Sequence, residues 1–446
     1  MILSPDLMGR IAADPDLTRD FETLCSFGGR LTGTESERLA MDFVGERGAR
    51  ASGVSCQTLP VNYGGWRALR SELRLADGSR AACHPLVRSV ATPSEGLTAE
   101  VVDLGRGTPE EFAAHWAEIA GRFVLVRHEL MFAAGTIHRR RKYDMAREAG
   151  AVGFLIAGPL PGGLVAGSSG RDAGADGIPA AGIAPETAAR LARTASGWAR
   201  AALLLVTEEK DAESRTLLFD MPGCEEEWVV LSAHVDGHDL SESAIDNASG
   251  VAAALAVVRA LAPQVADWRL GLRLAFFSAE EWGLTGSARY VAQLSERERS
   301  RIALNINLDS VAGGPRLATL TSGFAALEPF LLSVADANGH SLRCVRPLMT
   351  NSDHANFALA GIPAFRMVAG YDDPAALARL VLTAADTRDK VARTELATAA
   401  QLAACLTAAA CQADKLTVGN WRARTDGPTT MDFRRASAST RREGPL

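Results

Sequence analysis

The sequence predicts an α/β protein with a mostly parallel central sheet, helices on both faces and a smaller inserted α+β domain. Three observations carry this expectation. From about residue 206, apolar strand-like runs (WVVLSAHV, LRLAFFSAEE, IALNINLDS, GIPAFRMV) alternate with helical stretches such as SGVAAALAVVRALA, the rhythm of a sheet covered on both faces. Near residue 95 the composition shifts to short β-rich runs with heavy Gly and Pro punctuation, as in AGPLPGGLVAGSSG. Polar residues of metal-ligating type recur just past the apolar strands, first in LSAHVDGHDL at 231–240.

Residues 1–94 read as the first part of the main domain. Residues 1–60 are expected to be helical: in ESERLAMDFVGERGARASG, Leu39, Phe43 and Val44 recur at helical spacing and Gly53 can end the helix. Residues 67–90 alternate as strands do. Residues 95–205 read as the inserted domain. There TAEVVDLG and GRFVLVRHEL are strands, RRKYDMAREAGAVGFLI is a helix, a glycine stop and a buried strand, and GIPAAGIAPETAARLAR is a turn, a strand and a helix from Pro185. Residues 206–415 resume the main domain. Residues 416–446 form a polar tail rich in Thr, Ser and Arg, of the kind that is disordered in part or packs on a partner subunit.

The chain has 446 residues, 47% hydrophobic and 22% charged, with net charge -6, which suits a globular protein and argues against a nucleic-acid partner. The basic run His138-Arg139-Arg140-Arg141-Lys142 opens a helix and is expected to form a solvated face. Seven cysteines without a CxxC exclude a disulfide framework and a thiolate zinc site. The N-terminus lacks the pattern of a signal peptide, and no apolar run is expected to reach the length of a membrane span, so the expectation is a cytoplasmic protein without a membrane partner. The apolar face of LATAAQLAACLTAAACQA could carry a homo-oligomer contact, although an ordinary core helix meets the same pattern.

Placed on the predicted strands, His234 and Asp236 follow WVVLSA, Asp246 and Asn247 lie in the loop SESAIDNASG, Glu280 and Glu281 end LRLAFFSA, Asp309 ends IALNINL, and His354 lies in TNSDHANF. One acidic residue at a strand end is usually a helix cap. Four loops delivering His, Asp or Glu to one sheet edge, where ligands of such sheets sit, need another reason. Carboxylate and imidazole without thiolate suit zinc, with manganese or cobalt as alternatives. Two histidines and three carboxylates exceed the needs of one four-coordinate ion and fit two ions roughly 3.5–4 Å apart. Carboxylates packed together are costly unless cations neutralise them.

The motifs HVDGHD, AIDNASG, SAEEWGLTGS, INLDS and SDHANF resemble those of the zinc-dependent exopeptidases that include bacterial leucyl aminopeptidases, glutamate carboxypeptidase and plasma glutamate carboxypeptidase. The resemblance covers about 206–395 and, more loosely, 1–90. Residues 95–205 resemble the protease-associated domain inserted in many of these enzymes, through GRFVLVRHE, AREAGAVGFLI and GIPAAGI. The resemblance implies the zinc exopeptidase fold and two zinc ions per chain. Asp246 would bridge them, His234 and Asp309 would complete one, and Glu281 and His354 the other. Glu280 would be the general base and acid, Asp236 would support His234, and the Asp246–Asn247 peptide would be cis. His238 and Asp239 are expected to be loop or rim residues. LTAADTRDKV resembles a segment of the family in which a histidine is common where Leu382 stands, so a rim contact to substrate would be missing.

The expected function is aminopeptidase or dipeptidase hydrolysis of small peptides or related amides. A carboxypeptidase acting on dipeptides or N-acyl amino acids is the alternative; it would need a cation such as Arg139, Arg140, Arg141 or Lys142, brought over the site by the inserted domain. A glutaminyl-cyclase-like acyltransferase and a non-catalytic binding protein are weaker readings, because no expected ligand is missing.

Overall fold

The computed structural model describes residues 2–192, 197–423 and 430–431. Three helices open the chain: α1 (Pro5–Ala12), α2 (Pro15–Ser26) and α3 (Glu35–Ser52), capped by the side chains of Ser4, Asp14 and Thr34. Gly53 ends α3 at φ 73°, as expected. The buried stripe of α3 is Ala40, Met41, Val44 and Gly48, whereas Leu39 is 40% exposed. Gly48 sets that rotation: a Cβ there would meet the Phe219 ring at 2.4 Å, so the helix packs through its small residues. Helix also stops earlier than residue 60, because β1 (Gln57–Leu75) begins within the expected helical stretch.

The chain continues through β2 (Arg80–Ala81) and β3 (Cys83–Pro85) into the inserted unit. Its elements are β4 (Leu97–Asp103), α4 (Pro109–Ala114), α5 (Trp116–Ile119), β5 (Phe123–Arg127), α6 (Arg139–Glu148), β6 (Gly153–Ala157), β7 (Ala180–Ile183) and α7 (Pro185–Ala192). Strands β4 to β7 are parallel neighbours, and β3 closes their far edge by pairing antiparallel with β7. The long β8 (Ala199–Met221) returns to the main domain, paired antiparallel with β1 from Leu75↔Ala201 to Gln57↔Leu218.

The main domain then runs β9 (Trp228–His234), α8 (Ser249–Val265), β10 (Gly271–Phe277), α9 (Thr285–Gln293), α10 (Glu296–Arg301), β11 (Ile302–Leu308), β12 (Leu317–Leu320), α11 (Leu327–Ala337), β13 (Leu342–Val345), β14 (Leu348–Met349), α12 (His354–Leu359), β15 (Ala364–Ala369), α13 (Arg393–Cys411) and α14 (Lys415–Trp421). Its sheet has the order β13-β12-β15-β11-β9-β10-β8. β10, β9, β11 and β15 are parallel, so their carboxyl ends share one edge. β9 and β11 are apolar and buried nearly throughout because helices cover both faces.

The segment Ala244–Val265 and helix α13 are long and apolar enough, by length and composition, to cross a bilayer, contrary to the expectation that no run reaches that length. Both are mostly buried inside the protein: α8 packs on the sheet and α13 packs on α8. Of the polar tail, α14 and the pairing of Thr430–Met431 with β14 are described, and its other residues from 424 onward lie outside the described residues.

The inserted domain is clasped to the main one. Ala166 N–H donates to the Leu382 carbonyl (2.8 Å), Asp372 N–H to the Phe132 carbonyl (2.7 Å), and one apolar cluster joins Phe132 and Val165 to Ile245, Val368 and Leu382. At the other side of the site, the buried Arg30 donates to the carbonyls of Val235 (2.9 Å), Leu24 (3.2 Å), Gly28 (3.1 Å), Glu242 (2.7 Å) and Ser243 (2.9 Å), and so shapes the 235–243 loop. Arg30→Leu strands these buried acceptors. It is expected to lower stability by about 3 kcal/mol, read as a lower urea midpoint; an unchanged midpoint would show that water replaces the guanidinium.

Candidate active site

Three strands of the parallel set, β9, β10 and β11, deliver polar residues to its carboxyl edge. β9 ends in His234, paired with Phe277 at the end of β10, so the loops after these two strands start level. Asp236 links them. Its Oδ1 accepts the Glu280 N–H (3.1 Å), and its Oδ2 accepts the Glu281 N–H (3.1 Å) and the Thr32 hydroxyl (2.9 Å). The carboxylate therefore positions the Glu280-Glu281 backbone. His234 is held instead by the Asp236 main-chain carbonyl, 3.1 Å from Nδ1, the carboxylate being 3.6 Å away. A carbonyl only accepts, so Nδ1 carries the proton, and Nε2, 3.1 Å from Asp246 and 3.6 Å from Asp309, is the nitrogen that a cation held among these carboxylates would meet.

Asp246 lies in the tight turn Ala244–Ala248, and its peptide bond to Asn247 is cis, as the resemblance implies. The Asn247 side chain ties the turn to the next loop, donating to the Leu308 carbonyl (2.9 Å) and accepting the N–H of Gly250 (3.0 Å) and Ser310 (3.2 Å). Asp386 anchors it from below, accepting the N–H of Ile245 (2.7 Å) and Asp246 (3.2 Å). Asp309 is bonded by Ser352, Ser310 and Arg366, whose Nη2 lies 3.0 Å from Oδ1. Burial opposes the Asp309 carboxylate, but the Arg366 charge and these bonds hold its pKa well below the usual range.

Two groups of donors converge on Asp246: His234, Asp246 and Asp309 in one, and His238, Asp246 and Glu281 in the other, each with donor atoms within 4.8 Å of one another. His234 Nε2 lies 3.1 Å from Asp246 Oδ1, and His238 Nε2 lies 2.6 Å from Glu281 Oε1. None of these four buried atoms makes a directed hydrogen bond. Close, undirected and otherwise unpartnered donors are what cation binding requires, and the oxygen and nitrogen set fits zinc. Burial pushes Glu280 and Glu281 well above the usual carboxyl range, with the Asp246 charge adding to Glu281; a cation relieves that strain. Burial pushes the His238 imidazole down to about 4, leaving it neutral with a free lone pair.

His354 joins neither donor group among the described residues. It starts α12 beneath the site, with both ring nitrogens unpartnered and its pKa pushed by burial down to about 3. His238 stands beside Glu281 instead. Position 382 holds leucine, which packs with Phe132 and Val165 of the inserted domain and lines the cavity over Asp246, Glu280, Glu281 and Asp309. Asp239 is a rim residue, 3.0 Å from His84. Sequence reasoning missed Arg30, Asp386 and Asp353, the last fully buried with both oxygens unpartnered and its pKa raised by burial to about 7. Arg30 carried no signal beyond a charge in a glycine-rich stretch, whereas Asp353 and Asp386 lie inside SDHANF and LTAADTRDKV, segments that the resemblance itself marks.

The basic run at 138–142 departs from its expected solvated face. His138, Arg139, Arg140 and Lys142 are buried, leaving Arg141 exposed, and the first three line the same cavity as the acidic cluster. That cavity measures about 30 Å³, close to the room one water needs.

Residues 217–407 match the profile described as Peptidase family M28, and residues 85–191 match the PA domain. A protein named probable lipoprotein aminopeptidase LpqL, from Mycobacterium tuberculosis, is 27% identical over 77% of this chain and 70% of its own length. Aminopeptidase YwaD of Bacillus subtilis is 30% identical over 50% of this chain, spanning 46% of that protein. Among solved structures, a peptidase M28 precursor from Shewanella amazonensis shares the fold at TM-score 0.75 and 21% identity, covering 92% of this chain and 96% of the other. Fold, donor cluster and these matches define a metallo-exopeptidase, a hydrolase of peptide bonds. Residues 217–407 are a peptidase family M28 domain by this match, and residues 85–191 an inserted PA domain.

Proposed function

We propose that the protein is a dinuclear zinc exopeptidase that acts as an aminopeptidase or dipeptidase on small peptides or related amides. The observation that carries this reading is the sharing of Asp246 by two sets of unpartnered donors, His234 with Asp309 and His238 with Glu281. Asp246 would hold both ions, and the other four residues would each complete one side. Zinc bound there supplies the Lewis acidity that peptide hydrolysis needs.

The chain's own groups do the rest. Glu280, fixed through its backbone by Asp236, takes a proton from the attacking water and returns it to the leaving amine. Arg366 and Ser352 keep Asp309 ionised and oriented. The cavity over the donors has about the room of one water, which keeps bulk solvent away from them. The names of LpqL and YwaD as aminopeptidases support trimming from the amino end.

Metal analysis tests the reading. The purified protein is expected to carry about two zinc per chain. Chelation is expected to abolish hydrolysis of aminoacyl-anilides and dipeptides, and two equivalents of zinc to restore it. Full activity after complete chelation, or saturation at one equivalent, would reject the dinuclear mechanism.

A further inference from the structure

We propose that the inserted domain completes the substrate site with a buried guanidinium pair, Arg139 and Arg140, that receives a carboxylate of the substrate beside the scissile bond. This rests on the exopeptidase reading above and narrows it to substrates carrying such a group.

The two arginines open α6 and line the cavity that also holds Asp246, Glu280, Glu281 and Asp309. They are 5% and 9% exposed, yet Arg139 Nη1 and Arg140 Nε have no hydrogen-bond partner. Among the described residues no carboxylate oxygen lies within 4.0 Å of either. The other buried arginines are satisfied: Arg366 pairs with Asp309 (3.0 Å), Arg171 with Glu209, and Arg30 binds five carbonyls. A buried guanidinium without a counterion is costly, because it stays charged and loses its hydration.

The backbone around the pair is built for it. Arg139 Nε donates to the Ser168 carbonyl (2.7 Å), which fixes the plane of the fork. Gly167, at φ 102°, leaves the space that the Arg139 guanidinium fills, since a Cβ there would meet it at 2.3 Å; a Cβ on Gly170, at φ 91°, would meet the Arg140 side chain at 2.7 Å. Burial and the Arg140 charge both disfavour protonated Arg139, while Glu281 and Glu280 favour it from across the cavity. Once cations neutralise those carboxylates, Arg139 loses its distant counterions and an oxyanion from the substrate becomes its natural partner. Arg140 also lines a larger cavity of about 590 Å³ whose wall carries both signs of charge, Arg88, Arg147 and Arg289 beside Asp144, Asp172 and Asp176.

The carboxylate could come from the free carboxyl end of a dipeptide or N-acyl amino acid, or from an acidic side chain. Matched substrates separate these sources: a dipeptide against its carboxyl-terminal amide, and an aspartyl or glutamyl peptide amide against its Asn or Gln counterpart. The native enzyme is expected to prefer one carboxylate form by ~10-fold or more in kcat/KM. Arg139→Met is expected to bring that ratio to near one through KM, with Arg139→Lys recovering part of it, at native zinc content and melting temperature. Should Arg139→Met fail to fold, Arg140→Met is judged by the same ratio.

Calorimetry with inorganic phosphate gives an arm independent of turnover, with binding to zinc-loaded native protein expected to be ~10-fold tighter than to Arg139→Met at equal metal content. Equal cleavage of all matched pairs, with equal phosphate affinity, would overturn the anion site while leaving the exopeptidase intact. Arginine-dependent phosphate binding without hydrolysis of any peptide would do the reverse.

Discussion

Glu280→Gln is expected to lower kcat by about 10²–10⁴-fold while bound zinc remains at about two per chain. The substitution keeps the shape of the side chain and removes its ability to take a proton. Glu280 belongs to neither donor group, so metal content has no reason to change. Its backbone N–H still bonds Asp236, so the neighbouring Glu281 keeps its place. The measurement is single-turnover hydrolysis of a dipeptide beside elemental analysis of the same sample. A variant that turns over at the native rate would move the proton transfer to another group. A variant that loses zinc would make Glu280 a ligand instead of the base.

His238→Ala is expected to drop bound zinc from about two per chain to about one, and to weaken the remaining activity by ~100-fold or more. His354→Ala is expected to keep both ions. The contrast follows from placement: His238 Nε2 lies 2.6 Å from Glu281 Oε1, whereas His354 is absent from both donor groups. Zinc titration followed by calorimetry reads the two variants directly. Loss of one ion in His354→Ala and retention in His238→Ala would reverse the assignment and return the site to the ligand set that the resemblance implies.

The strands and the edge they share were legible because buried parallel strands leave long apolar runs, and because the first polar residue after each run stands out. That reasoning put His234, Asp246, Glu280, Glu281 and Asp309 at one edge, and the structure brings them together there. His238 was harder to read, since a histidine four residues past His234 in a polar loop has no periodicity to mark it. Its place beside Glu281 follows from Arg30, whose carbonyl bonds fold the 235–243 loop back over the site, whereas the resemblance leads one to look for the second imidazole at His354. The basic run at 138–142 misled for a related reason. Charges at the start of a helix normally face water, and only the glycines at 167 and 170, distant in sequence, make room to bury them. In α3 the same kind of local rule failed by one position, because Gly48 lets the helix sit closer to Phe219 than a Leu-centred stripe would.

Because β8 runs unbroken from Ala199 to Met221, the inserted domain cannot be shed as a detachable module. On one side its first residues pair with β4 of that domain and its last with β10 of the main sheet, while β1 runs along the other side from Ala201 to Leu218. Trimming the gene at residues 95 and 205 would cut this shared strand partway along its ladder and leave the end of β1, Ser71–Leu75, without its partners at 201–205, an open edge of unpaired N–H and C=O groups. Such edges recruit other chains. The truncated protein would therefore be prone to sticking edge to edge, and natural variants of this architecture are expected to change the inserted domain by loop length and side chains while keeping the ribbon that carries it.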